Sequence, residues 1–318
     1  MDFKVRSGDS FCGKNVLSVL KNMSLSSKMI KYLKYRDDGI AVNGKRVTVR
    51  YLLSDGDLLS LALTDSSSAV CTPTDTQLNV IFENDDLIVV DKPPFMPTHT
   101  SHGHYDDTLA NALAGYFANK NTPFVFRPIN RLDRNTSGLV LVAKNKPAAS
   151  FLSSAMREKR IKKTYIAVLD GCLPDIPETV FTETGELFAV RRALHRTAES
   201  IIVREVCPDD APDAEAAVTL FKILKRCEKF TLVEAYPQTG RTHQLRVHFA
   251  YLGCPILGDD IYGTPSPYIA RHALHARDLT LPLPENILSS KNDGRMISLS
   301  ADIPEDINSL IHNFFDKG

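Results

Sequence analysis

Apolar and polar positions divide the chain into two patterned stretches with an unpatterned one between them. In residues 1–63, Met29, Ile30 and Leu33 recur at i, i+1 and i+4 and define one helix face, with Lys28, Lys31 and Lys34 on or near the other. Asn43-Gly44 follows between two β-branched runs and predicts a hairpin. Residues 64–77 are rich in Ser, Thr and Asp with no apolar period, which reads as a linker. From residue 78 onward strand-like runs dominate: Val80–Phe82, Leu87–Val90, Leu139–Ala143, Tyr165–Leu169, Val218–Leu224 and Thr231–Ala235. Two helices are predicted among them. Pro147–Lys159 opens with Pro near its first turn. The other runs from about Thr242 to Leu252, where Leu245, Phe249 and Leu252 form an i, i+4, i+7 stripe and Gly253 suits a left-handed stop.

A length of 318 residues suffices for about two domains and for a sizeable core without staples. With 43% hydrophobic and 24% charged residues, 16 Gly and 18 Pro, collagenous, low-complexity and wholly disordered readings are excluded. The first dozen residues are polar, so no signal peptide is expected. No window approaches the roughly 18 apolar residues of a membrane span. The six cysteines are scattered without a C-x-x-C pair, which argues against a disulfide framework and a cysteine-rich zinc site. Six reduced thiols in a cytoplasmic protein are the expectation, together with a monomer.

The formal charge of +0 conceals an uneven distribution. Residues 1–63 hold 11 basic and 6 acidic side chains, residues 127–163 hold 10 and 2, and residues 164–217 hold 4 and 11. Basic stretches of this density are the footprint of a protein that tracks phosphates; a solvated helix face is the other reading. The densest constellation is Arg127-Pro-Ile-Asn-Arg-Leu-Asp-Arg-Asn-Thr-Ser-Gly-Leu-Val-Leu-Val-Ala-Lys144. Asp133 lies between Arg131 and Arg134, and neighbouring cations favour the ionised acid. A carboxylate suits a nucleophile better than a general acid. On spacing alone, a helix cap or a surface ion pair remains open for Asp133.

Arg131-Leu-Asp-Arg-Asn-Thr-Ser-Gly138, followed by an apolar strand, resembles the signature of the RluA family of RNA pseudouridine synthases. Further blocks resemble the family in the same order. They are Ile81-Phe-Glu-Asn-Asp-Asp-Leu-Ile-Val-Val-Asp-Lys-Pro-Pro94, Lys163-Thr-Tyr-Ile-Ala167, Thr239-Gly-Arg-Thr-His-Gln-Leu-Arg-Val-His248 with Leu252–Gly263, and Arg271-His-Ala-Leu-His-Ala276. The first 63 residues resemble an S4-type RNA-binding module through Val42-Asn-Gly-Lys45 and Ser54-Asp-Gly-Asp57. The resemblance implies an α+β architecture, with a mixed, largely antiparallel sheet, flanking helices and a catalytic cleft over residues 78–318. The S4-like module would occupy 1–63 and the linker 64–77.

The implied reaction isomerises uridine to pseudouridine in structured RNA, large-subunit ribosomal RNA by preference, with no cofactor and no metal. Asp133 would be the catalytic aspartate. Tyr165 would pack on the uracil and join the later proton transfer, and Arg246 would pair with Asp133. Arg131 would help fill the gap left by the extruded base, since a stacked base must be flipped to be reached. Arg134, Arg241, Lys28, Lys31, Lys45 and Arg46 are the expected RNA contacts; for Arg241 a structural ion pair is an equal alternative. Asn130 stands where the family often has His and is expected to support rather than react. The acidic, poorly matched stretch 174–217 suggests an insertion facing away from RNA. A transfer-RNA synthase of the same family and a non-catalytic RNA-binding or ribosome assembly factor are the alternatives. A paired-carboxylate glycosidase would need a second acid beside Asp133. The histidines at 99, 102 and 104 and at 272 and 275 lack the carboxylate spacing of a zinc site.

Overall fold

The computed structural model describes residues 2–9, 11–23, 25, 27–63, 71–101, 103–173, 178–182, 185–284 and 295–316. The first unit has strands β1 (Asp2–Lys4), β2 (Ile40–Val42), β3 (Lys45–Arg46) and β4 (Leu58–Leu61) in the order β1-β4-β2-β3, with helices α1 (Val16–Asn22) and α2 (Ser27–Tyr35). Asn43 and Gly44 both have positive φ, 52° and 76°, as a two-residue turn matched to strand twist requires. The apolar stripe of α2 does what its period predicts: Ile30 and Leu33 are buried with Val16, Leu20 and Leu59 in a core drawn from residues 5–63.

The larger unit contains β5 (Asn79–Glu83), β6 (Leu87–Lys92), α3 (Leu109–Asn119), β7 (Ser137–Ala143), α4 (Lys146–Arg157), β8 (Lys162–Asp170), β9 (Thr179–Thr182) and β10 (Gly185–Arg191). It continues with β11 (Ala193–Arg196), β12 (Arg204–Cys207), β13 (Val218–Arg226), β14 (Phe230–Pro237), α5 (Gln244–Tyr251), β15 (Leu274–Pro282), β16 (Met296–Ser300) and α6 (Glu305–Phe315). Ten of these strands form one sheet in the order β5-β6-β7-β15-β8-β14-β13-β10-β9, with β16 added to β15. All pairings are antiparallel except β7 with β15. The central strands read as unbroken apolar runs because both faces are covered. Leu87, Val89, Leu139 and Leu141 meet Phe151 and Leu152 of α4 on one side. Ile88, Val90, Val140 and Val142 share the other core with Leu113, Phe249 and Leu310 of α3, α5 and α6.

Three expectations are corrected. Residues 64–70 lie outside the described residues, but 71–77 are no free tether. Asn111 Nδ2 donates to the Thr72 carbonyl at 2.8 Å, the Thr74 amide donates to the Asn111 carbonyl at 3.2 Å, and a Cβ on Gly115 would meet the Thr74 carbonyl at 2.0 Å. The helix around 242–252 starts two residues late. His243 is its cap at φ 58°, and residues 244–249 are buried all round rather than along a stripe, because sheet and hairpin enclose it. Among its described residues the acidic stretch is not an outlying insertion. β10 belongs to the main sheet, and β11 and β12 form a hairpin that packs on α5 through Leu194 and Val247.

Burial holds three histidines neutral. His248 is pushed down to about 4 by burial, as is His275, and burial with the Arg246 charge takes His272 to about 3. His248 Nε2 donates to the Arg192 carbonyl at 3.1 Å and Nδ1 accepts from the Thr219 hydroxyl at 2.9 Å. The unfolded chain takes up these protons near the ordinary value of 6.5, whereas the folded chain does so only near pH 3–4. Between those limits the unfolded state binds more protons, so stability is lost as the pH is lowered. The urea midpoint is expected to drop steeply from pH 6.5 to 4, and His248→Gln to flatten that slope.

Candidate active site

Asp133 sits in the turn that delivers the chain into β7, and this turn is fastened from several sides. Thr98 Oγ1 donates to the Leu132 carbonyl at 2.7 Å and accepts from its amide at 3.2 Å. The buried Lys92 ammonium donates to the carbonyls of Pro93, Met96 and Arg134 at 2.7, 2.9 and 3.2 Å. Arg271 donates to the Asn135 carbonyl at 3.0 Å while its other nitrogens grip Asp306 at 2.7 and 2.9 Å. Thr136 Oγ1 pairs with His272 Nε2 at 2.8 Å. Asn130 donates to the Leu139 carbonyl and accepts from the Leu141 amide at 3.1 and 2.8 Å, a purely backbone-pinning role. Gly138, at φ 113°, lets β7 approach β15; a Cβ there would lie 2.2 Å from the Ala276 carbonyl.

This turn presents Asp133 to a cavity of about 80 Å³ shared with Tyr165, His243, Arg246, Arg131 and Leu274. The Asp133 side chain keeps 26% of its exposure, and its Oδ2 lies 3.7 Å from an Arg246 guanidinium nitrogen and 4.0 Å from His243 Nε2. The Arg246 fork itself goes elsewhere. Its Nε and a terminal nitrogen each donate to a different oxygen of Asp259 at 2.7 Å, inside the protein. Asp259 also accepts from the amides of Ile261 and Tyr262. Burial alone would raise the Asp259 carboxyl; the Arg246 fork outweighs it and holds the group below its usual range. The expected Arg246–Asp133 pairing is therefore the looser of two, and Asp259 is the residue that aims the guanidinium. A buried arginine calls for a bidentate carboxylate, and the Gly258-Asp-Asp260 sequence offers one.

Tyr165 is buried on β8, and burial, then the Asp133 charge, push its hydroxyl well above the usual range, so it is a neutral phenol. His243 is held below its usual value by burial first. Its Nδ1 pairs with the Tyr262 hydroxyl at 2.8 Å, and that hydroxyl accepts from the Arg204 amide at 2.9 Å. The Tyr262 ring also lies 5.1 Å beneath the Arg246 guanidinium. Sequence reading assigned no role to His243, Tyr262 or Lys163, although all three fall in the quoted blocks. The small cavity adjoins a cleft of about 870 Å³ that shares Arg131, Lys163, Pro237, Thr239 and Gly240 with it and adds Lys159, Lys162 and His99.

The remaining site expectations fare unequally. Arg131 donates to Thr242 Oγ1 at 2.7 Å from an exposed position at the junction of cavity and cleft. Arg134 is exposed on the same turn. Arg241 is committed to its own chain, donating to Glu215 at 2.9 Å and to the Ala216 carbonyl at 3.1 Å. Lys31 and Lys45 are exposed on the first unit, and Arg46 pairs with Asp37 at 2.7 Å. The Lys28 side chain and His102 lie outside the described residues. Among the described residues no cluster of three His, Cys, Asp or Glu side chains suits a metal, and no helix is long and apolar enough to cross a membrane.

A carboxylate, a neutral phenol and a buried guanidinium thus share one cavity beside a cleft lined by Arg131, Lys159, Lys162 and Lys163. The family model described as RNA pseudouridylate synthase matches residues 86–251, just over half the chain. An uncharacterized RNA pseudouridine synthase of Bacillus subtilis is 32% identical over 91% of this chain and 95% of its own. Ribosomal large subunit pseudouridine synthase D of Haemophilus ducreyi is 31% identical over 86% and 82%. The solved structure of human RNA pseudouridylate synthase domain containing 1 superposes with a TM-score of 0.55 at 25% identity, covering 72% of this chain and 84% of that one. The chain belongs to the RNA pseudouridine synthases of the RluA family, enzymes that isomerise uridine to pseudouridine.

Proposed function

We propose that the chain modifies uridine in large-subunit ribosomal RNA, with Asp133 as the catalytic carboxylate. The observation that carries the assignment is the shared cavity, in which a part-exposed Asp133 faces Tyr165 and a guanidinium locked by Asp259. The target uridine leaves its stack and enters from the cleft, with Arg131 at the threshold to occupy the vacated space. Asp133 then assists cleavage of the C1′–N1 bond, and the detached uracil turns between Tyr165 and the opposite wall. A C1′–C5 bond forms, C5 gives up its proton and N1 gains one, so no atom is lost and no cofactor is required. The Arg246 guanidinium faces the Asp133 carboxylate at 3.7 Å. The neutral Tyr165 hydroxyl takes part in the final proton transfer.

The RNA class rests on the relatives named as ribosomal large subunit pseudouridine synthase D. The first unit serves as an S4-like RNA-binding module whose Lys31 and Lys45 meet phosphates, which position RNA without reading its sequence. A cytoplasmic location follows from such a substrate. Pseudouridine mapping of ribosomal and transfer RNA, with and without the gene, tests the reading. Loss of one or more large-subunit ribosomal sites is expected; loss confined to transfer RNA would overturn the ribosomal assignment, and no loss would overturn the activity in the cell.

A further inference from the structure

The β11–β12 hairpin carries a feature the reaction does not use. Its tip, residues 197–203, exposes Ile201 at 77% and Ile202 at 56%. The tip's backbone is nevertheless closed on itself. Ser200 Oγ accepts from the amides of Ile202 and Val203 at 3.1 and 3.2 Å, and the Thr197 amide donates to the Val203 carbonyl at 3.3 Å. One nitrogen of Arg204 donates to the carbonyls of Ile201, Ile202 and Val203 at 3.3, 3.0 and 3.0 Å. Isolated surface isoleucines are commonplace. Two adjacent ones on a tip tied by these six hydrogen bonds form an exposed apolar point.

That point is fixed to the wall of the active site. The Arg204 amide donates to the Tyr262 hydroxyl, which pairs with His243, whose other ring nitrogen lies 4.0 Å from Asp133. Ile201 is three residues from Arg204, at most ~10 Å along the chain. Two arginines stand directly opposite one another at the base of the tip, Arg196 against Arg204 in the β11–β12 register. Like charges in that arrangement repel, and the exposed Arg196 guanidinium has no partner among the described residues. An anionic polymer that is apolar between its charges fits both features: phosphate on the arginines, stacked bases against the isoleucines.

We propose that Ile201 and Ile202 act as an apolar wedge, entering between two bases of the RNA beside the flipped uridine, with Arg196 on the adjacent phosphate. This rests on the RNA-modifying reading above. Side-chain wedges of Ile, Leu, Met and Phe unstack base steps in just this way. The wedge lowers the cost of emptying the stack and adds little to the net charge of the complex.

The test compares wild type with Ile201→Ser/Ile202→Ser and Ile201→Leu/Ile202→Leu, using total ribosomal RNA purified from cells lacking the gene. The Ser pair is expected to keep its melting temperature and to slow single-turnover pseudouridine formation by about 10- to 100-fold. The Leu pair is expected to recover most of that rate, and the salt slope of binding to stay constant, because no phosphate contact is lost. An undiminished rate in the Ser pair overturns the wedge. So does a changed salt slope, or wild-type self-association that the Ser pair abolishes at full rate, which would make the tip a contact between copies. Absence of product with wild type would instead sink the functional reading, and the wedge with it.

Discussion

Asp133→Asn is expected to stop pseudouridine formation, by roughly a thousandfold or more, while RNA affinity changes by less than about threefold. The substitution keeps the shape of the side chain and the fastening of its turn, because every bond from Thr98, Lys92, Arg271 and Thr136 in that region goes to backbone groups or to other side chains. What it removes is the negative charge that faces Arg246 at 3.7 Å. Pseudouridine quantified in single turnover, beside equilibrium RNA binding, separates the two quantities. Retained turnover would remove Asp133 from the reaction; loss of binding in proportion to turnover would make it an RNA contact.

Asp259→Ala is expected to cost about 3–5 kcal/mol of stability, since it strands a buried guanidinium, and to lower the melting temperature by about 10 °C. Activity should fall as well, because the freed Arg246 no longer holds its direction toward Asp133. The double change Arg246→Met with Asp259→Leu separates these effects. Replacing both members of a buried pair by apolar groups of similar volume is near neutral for stability, so most of the melting temperature should return while activity stays absent. Recovery of turnover in the double variant would show that the guanidinium has no part in the reaction.

Much of the fold was legible because the determining pattern was local. Runs such as Leu139–Ala143 are apolar at every position because helices cover both sheet faces, and Asn43-Gly44 can hardly be anything but a turn. Other elements were missed for physical reasons. Helix α3 is buried on most sides, so Leu109-Ala-Asn-Ala-Leu shows no polar face to reveal its period. Strand β15 mixes polar and apolar residues because its two halves have different neighbours, β7 and then β16. Helix α6 did carry a readable stripe, with Ile307, Leu310, Ile311 and Phe314 facing the core. Within the site, the resemblance to the family singled out Asp133, Tyr165 and Arg246, which line one cavity. The choice of Asp259 over Asp133 as the main partner of Arg246 depends on the chain's return after α5, which spacing cannot express.

The turn bearing Asp133 is assembled from segments far apart in the chain, with Lys92 and Thr98 ahead of it and Arg271, His272 and Asp306 well behind. During synthesis the acid therefore follows Lys92 and Thr98 but precedes Arg271, His272 and Asp306. A chain without Asp306 would leave Arg271 without its carboxylate partner and the Asp133 turn less firmly braced. The bracing of the acid is thus completed only by the last of these segments to be made.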